Sequence, residues 1–388
     1  MTLRRQNRRR DALLRLLRGR MTMRYDELPG VSVIVPTRNC RSTICGCLRA
    51  LAALDYPPDR LEVIVVDDAS TDGTDEAVRS LAADLPGLNL RCLRQSRSLG
   101  PGEARNLGVS QAEHGILAFT EADVVADRMW LRRGAAYFAL PQVGGVEGKL
   151  ACLLSGKLTP FSGDTRNLHG SRYSLGNMLY LKELFALLGG FDPRYSALAP
   201  RLHGREGLEF ALRVLEAGWE IPFAPEAVCC RPPSPPSWGQ PFQQVRQHYF
   251  DSLLRKQHPE QFRRSVDVER LLGFEIRRFR QRLYSACVVL CLGAVCTAVI
   301  GWFWLAAGLG SAYAAASAGV LCMHLSGRKF TLRDTLAAVP VAAAIPYMHA
   351  YYSICGMVRF RSEPPAPPAA GNEVVVGVEE LATARGRS

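Results

Sequence analysis

The sequence predicts an α/β protein: a doubly wound, mostly parallel sheet followed by apolar helices toward the C-terminal end. Two runs of β-branched and apolar residues, Val31 to Pro36 and Leu61 to Val66, are continuous rather than alternating, as in strands covered on both faces. Stretches with apolar residues at helical spacing, Ser42 to Leu54 and Asp75 to Leu85, alternate with these strands and lead to a third, Ile116 to Thr120. After Arg282 no Asp, Glu, Lys or Arg occurs until Arg328, a span long enough for two membrane-crossing helices.

Each element has a local reason. Pro36 ends the first strand, Asp67-Asp68 closes the second, and Glu121 and Asp123 follow the third. Polar residues thus collect at the strand ends, where open α/β sheets bind ligands. Ser70 or Asp72 is a candidate cap for the helix after the second strand. Glu206 to Ala217 has helical periodicity, and Phe242 to Arg282 reads as basic, amphipathic helices. Gly308 to Ser311 is the expected turn inside the apolar span. Leu336 to Val358 is a third apolar stretch, interrupted by Pro340, Pro346 and His349. The expected division is a basic arm at 1–30, a soluble domain at 31–240, amphipathic helices at 241–283, two or three membrane helices at 284–358 and a disordered Pro/Ala/Gly-rich tail at 359–388.

Composition narrows the function classes. The 388 residues are 48% hydrophobic and 22% charged, which excludes a disordered or collagen-like chain. The net charge of +12 gathers in the arginines of the first 20 residues and in Arg277, Arg278, Arg280 and Arg282. A basic cluster just before an apolar span is the signature of membrane orientation and lipid contact. No nucleic-acid-binding motif accompanies it, so no nucleic-acid partner is expected. The arginine-rich start carries no secretory signal pattern; it reads as an interfacial helix or a flexible arm. The twelve cysteines lack paired CxxC spacing, so reduced thiols on the cytoplasmic side are expected rather than a disulfide frame or a zinc site.

Four constellations carry chemistry. Pro36-Thr37-Arg38-Asn39 forms a polar turn at the end of the first strand. Val66-Asp67-Asp68-Ala69-Ser70-Thr71-Asp72-Gly73-Thr74 offers a carboxylate to a base edge or a ribose hydroxyl. Gly100-Pro101-Gly102-Glu103-Ala104-Arg105-Asn106 opens a helix with an arginine suited to phosphate or to a carboxylate of the site. Glu121-Ala122-Asp123 puts two acids on one face of an extended segment, which suits one divalent ion and a ribose contact.

In this order and spacing the motifs resemble family 2 glycosyltransferases of the GT-A fold, over about Val31 to Pro233. Gly176-Asn177-Met178 and Gly189-Gly190-Phe191-Asp192 are similar to that family's acceptor-side segment. The resemblance implies a nucleotide-diphosphate sugar as donor, with Pro36, Thr37, Asn39, Asp68, Arg105 and Glu121 around it. It implies Mg2+ or Mn2+ held by Asp123, and inverting transfer to a lipid-linked or other membrane-proximal acceptor. The expected location is the cell inner membrane, with the catalytic domain cytoplasmic.

Two departures stand out. The family's base is the Asp of a Glu-Asp pair, whereas this chain has Gly207 there, between the candidate catalytic residues Glu206 and Glu209. Where many members have a histidine able to bind the metal, this chain reads Cys229-Cys230-Arg231. The alternative expectation is therefore a catalytically degenerate glycosyltransferase fold that binds a nucleotide sugar or a partner without turnover.

Overall fold

The computed structural model describes residues 28–152, 167–196, 202, 204–232, 237, 239–266, 268–271, 274–277, 279–325 and 331–363. Most of the basic arm, the segment 327–329 and the tail beyond residue 363 lie outside them.

Eight strands form one sheet in the order β3-β2-β1-β4-β7-β6-β8-β5. Its first half is parallel: β1 (Val31–Thr37) lies between β2 (Leu61–Asp67) and β4 (Ile116–Phe119), with β3 (Asn89–Arg94) outside β2. The continuous apolar runs explain this, since every residue of β1, β2 and β4 is buried. The second half departs from the mostly parallel expectation. β7 (Met178–Leu181) runs antiparallel to both β4 and β6 (Gly145–Cys152). β8 (Phe223–Arg231) is parallel to β6, and the short β5 (Val125–Ala126) is antiparallel to β8. The sheet is thus mixed, parallel around β1 and both parallel and antiparallel beyond β4.

Helices α1 (Arg41–Ala52), α2 (Thr74–Asp84) and α3 (Pro101–Ser110) follow the first three strands; α4 (Trp130–Ala135) and α5 (Lys182–Leu187) flank the second half. The loops at the carboxyl edge are knitted together by their motif residues. Asp72 accepts from the Thr74 amide at 3.1 Å and from the Arg41 amide at 3.1 Å, so one carboxylate serves the starts of α2 and α1. The Asn39 amide donates to Ser70 Oγ at 2.9 Å, and Asn39 Oδ1 accepts from the Thr71 amide at 2.9 Å.

Asn106 grips both backbone polar groups of Phe191: its Nδ2 donates to the carbonyl and its Oδ1 accepts from the amide, each at 2.9 Å. This seats Phe191 against Phe119, Phe185 and Phe210. Gly190 has a φ of +69°, and a Cβ there would come within 2.9 Å of Asn106 Oδ1. Glycine is what lets the two motifs meet.

The helix α6 (Glu206–Glu216) precedes β8; beyond the sheet come α7 (Gln240–Arg246), a 3-10 turn at Gln247–Phe250 and α8 (Asp251–Gln257). The expected run of amphipathic helices is then broken. Val268–Leu271 pairs antiparallel with Phe274–Arg277 as a hairpin, in which Val268-Glu269-Arg270-Leu271 and Phe274-Glu275-Ile276-Arg277 alternate well enough to pair as strands.

Helices α9 (Phe279–Val299) and α10 (Phe303–Leu325) are each long and apolar enough to cross a membrane. Their turn is not at Gly308 to Ser311, which lies inside α10. It falls around Gly301, whose φ of +90° ends α9, beside exposed Trp302, Phe303 and Trp304.

The third apolar stretch is a single helix, α11 (Leu332–Arg359), started by a Thr331–Asp334 capping box and continuous through Pro340 and Pro346. It packs on α7, the 247–250 turn and α8, as well as on α9 and α10. The approach is closest at Gly356, where a Cβ would land on the Tyr249 carbonyl oxygen.

Gly356→Ala is therefore expected to push α11 off the 247–250 turn. Amide hydrogen exchange should rise together in 249–257 and 341–356 while β1, β2 and β4 remain protected; unchanged exchange in both segments would contradict this packing.

Candidate active site

The carboxyl ends of β2, β1 and β4 form one rim, because the three strands are parallel neighbours in register. At the β1 end Pro36 and Thr37 are buried within the strand, and the Thr37 hydroxyl has no hydrogen-bond partner among the described residues. Asn39 takes a φ of +51° and spends its side chain on Thr71. Asp68 accepts from the Leu99 amide at 2.7 Å, the Gly100 amide at 3.1 Å and Ser98 Oγ at 2.7 Å. Asn39 and Asp68, both expected to face a nucleoside, thus serve as loop anchors that shape this wall; Asp68 fixes the entry to α3.

From α3 the buried Arg105 reaches two acids: Nη1 lies 3.1 Å from Glu206 Oε1, at the start of α6, and Nη2 lies 3.6 Å from Glu121 Oε1. Glu121 also pairs with Arg231 Nη2, and Arg231 Nε donates to Asp123 Oδ1 at 3.1 Å. Asp123, Arg231, Glu121, Arg105 and Glu206 form one unbroken row of alternating charge. Burial, then the like charge of Arg105, pushes the Arg231 guanidinium down to about 10, which leaves it cationic at neutral pH. Burial also pushes the Asp123 carboxyl up from its ordinary value.

Of the two candidate catalytic carboxylates, only Glu206 joins this row. Glu209 is also buried, but it binds Arg213 Nη2 at 2.6 Å and His258 Nε2 at 3.3 Å. Although residues three apart share a helix face, Arg213 and His258 take up the Glu209 carboxylate, so the structure gives it to a buried ion network rather than to the rim. Burial opposes the charged form of His258, but Glu209 and Glu216 outweigh it and raise the imidazole to about 9.

Gly207 is closed off. A Cβ there would come within 2.6 Å of Leu175 Cγ and 2.9 Å of the Tyr173 carbonyl oxygen. The Tyr173 segment is itself pinned by the buried Glu147, which accepts from the Ser171, Arg172 and Tyr173 amides.

The fit of a divalent ion can be judged from the donors. Glu121 and Asp123 are the carboxylates at hand and both are engaged by Arg231; among the described residues no three His, Cys, Asp or Glu side chains gather as a ligand set. Cys229 is buried in the core, and burial raises its thiol. Two carboxylates already neutralised by a guanidinium do not fit a resident Mg2+ or Mn2+, which needs one or two of them free beside the phosphates. The residue that the sequence reading left without a role is Arg231; only its place directly after the two cysteines hinted at it.

Residues 32–151 match the family model described as glycosyl transferase family 2, so this part of the chain is similar to glycosyltransferases. The chain is 28% identical over 247 residues to glycosyltransferase AglE of Haloferax volcanii, covering 59% of this chain and 71% of that one. It is 38% identical over 107 residues to the poly(ribitol-phosphate) β-N-acetylglucosaminyltransferase TarS of Staphylococcus aureus, covering 27% of this chain but only 18% of TarS. The probable glycosyltransferase YdaM of Bacillus subtilis is 28% identical, over 52% of this chain and 50% of YdaM. Among solved structures, the mannosyltransferase PcManGT of Pyrobaculum calidifontis, determined with GDP-Man and Mn2+, is similar at a TM-score of 0.47 and 23% identity, over 90% of this chain and 94% of that one.

The His258 network sets a pH dependence of stability. Its folded value near 9 lies above the ordinary 6.5, so the stabilisation is complete below about pH 6.5 and is lost as pH rises through 9. Denaturant unfolding followed by tryptophan fluorescence should show a fall of about 3 kcal/mol across that window. His258→Gln should remove most of this slope; an unchanged slope would exclude His258 as its source.

Proposed function

We propose that the protein transfers a sugar, with inversion, from a nucleoside-diphosphate sugar to a hydroxyl of a lipid-linked or other membrane-proximal acceptor. The acceptor oxygen bonds to the anomeric carbon while the bond from that carbon to the diphosphate oxygen breaks. The electron pair leaves with the nucleoside diphosphate, and the hydroxyl proton passes to Glu206. The observation that carries this reading is the charge row, which ties Glu206 to Glu121 and Asp123 through two arginines.

Each participant has a physical task. The Arg105 pair uses Glu206 Oε1 and leaves Oε2 as the open proton acceptor among the described residues. The buried, unpartnered Thr37 hydroxyl is a donor or acceptor for the nucleoside, and the loop that Asp68 holds forms the adjacent wall. Arginines at the rim meet the negative charge that develops on the leaving diphosphate.

In this reading the chain sits at the cell inner membrane with its catalytic domain cytoplasmic, anchored by α9 and α10. Support comes from Arg280 and Arg282 at the head of α9, from the sequence pair Arg328-Lys329 after α10, and from exposed Trp302 and Trp304 at the far turn. The unit spanning 31–240 carries the chemistry, and 241–283 leads from it to the anchor.

The closed position at Gly207 favours a second reading, binding of a nucleotide sugar without turnover. The two part experimentally on the purified full chain in lipid nanodiscs, with nucleoside-diphosphate release measured across UDP- and GDP-sugars and prenyl-phosphate or diacylglycerol acceptors. Glu206→Gln is expected to cut turnover roughly 100-fold or more while nucleotide affinity changes little. Nucleotide binding with no release in the wild type would establish the second reading instead. Gly207→Asp should restore nothing. It should displace Tyr173 and Leu175 and lower the unfolding midpoint, and a gain of activity would refute the steric closure.

A further inference from the structure

Arg231 lies at the end of β8, about a hundred residues in sequence from the two acids it holds. Its side chain is 11% exposed and touches them through Nε and Nη2, which leaves Nη1 uncommitted among the described residues. Space for it is made by Gly176, where a Cβ would come 3.3 Å from Arg231 Nη2 and 3.3 Å from Leu150. The Gly176 backbone is held in turn, since Thr120 Oγ1 donates to its carbonyl at 3.2 Å. A largely buried guanidinium with one nitrogen uncommitted, which a side chain at 176 would crowd, suits an anion.

The row holds one more negative charge than positive, so a diphosphate has to draw Arg231 partly away from its carboxylates. Asp123, Glu121 and Glu206 carry three negative charges, and the Arg105 and Arg231 guanidinium groups supply the two positive ones that a divalent ion would bring. A diphosphate arriving here would meet a fixed planar fork rather than an ion needing its own oxygen shell.

We propose that Arg231 is the resident cation of this site: it binds the donor's diphosphate directly and takes the place of a divalent metal, so that nucleotide binding proceeds without one. The proposal rests on the glycosyltransferase reading above and deepens it. Arg231 keeps Asp123 through Nε while Nη1 and the second Nη2 proton turn to phosphate oxygens. The carboxylates keep the guanidinium in position and balance its charge while the site is empty. As the anomeric carbon–oxygen bond breaks, the growing charge on the diphosphate strengthens the same hydrogen bonds.

The test is titration calorimetry of UDP and of GDP into the full chain in nanodiscs, in EDTA and in Mn2+, with Mn2+ occupancy followed by electron paramagnetic resonance. For whichever nucleotide binds, the affinity should agree within about threefold between the two conditions, and nucleotide should recruit no Mn2+. Arg231→Ala should weaken binding in EDTA roughly 10- to 100-fold. Added Mn2+ should recover part of the loss, because Asp123 and Glu121 are then free to take an ion. Arg231→Lys should fall between the two, since a point charge lacks the fork.

The wild-type comparison needs no variant and stands even if Arg231→Ala folds poorly. Wild-type binding that is abolished by EDTA and restored by Mn2+ overturns the proposal and leaves the glycosyltransferase reading intact, as does a folded Arg231→Ala that binds normally in EDTA. Failure of both nucleotides to bind in every condition defeats that reading, and this assignment with it.

Discussion

The structure turns on a row of five side chains, Asp123, Arg231, Glu121, Arg105 and Glu206, in which every charge is flanked by its opposite. They come from four separate stretches of chain brought to one edge: the loop after β4 contributes two, and α3, α6 and β8 one each. A buried carboxylate or guanidinium left alone costs several kcal/mol, so the members hold one another in place. The sheet order exists, in functional terms, to bring these stretches to the same rim. Because breaking one pair strands its neighbours, the row resists piecemeal change, which is how a polar site keeps its geometry within an apolar frame.

Around this row, residues whose types suggest ligand contact do architectural work. Asp68 accepts three hydrogen bonds from the 98–100 loop, Asp72 caps two helices, and Asn106 holds Phe191. Their effect on chemistry is indirect: they fix the loops from which Arg105 and Glu121 project. The buried Glu147 plays the same part on the other half of the sheet, where it sets the 171–173 segment over Gly207.

The parallel half of the sheet was legible because burial on both faces writes an unbroken apolar run, and the acids at the strand ends were legible because they stand next to those runs. Distance in the chain hid the rest. No local pattern links Arg231 to Glu121, and no periodicity says that Glu206 turns toward Arg105 while Glu209 turns toward His258. Hydropathy alone also misjudged Gly308 and Gly310. In a helix as rich in alanine as α10 they do not break the turn-by-turn hydrogen bonding, and the chain reverses at Gly301 instead. The pairing of Val268–Leu271 with Phe274–Arg277 was masked by the surrounding basic residues, which read equally well as helix faces.

The contact at Gly356 reaches further than its own helix. Tyr249, on which it rests, is two residues from Asp251, and Asp251 binds Arg205 at 3.0 Å, the residue that stands at a φ of +73° directly before Glu206. From the apolar helices to the carboxylate there is thus a short run of stiff steps with no loose linker between them. A shift of α11 is thus transmitted to the start of α6, where Glu206 stands, through the packing of one glycine against one carbonyl.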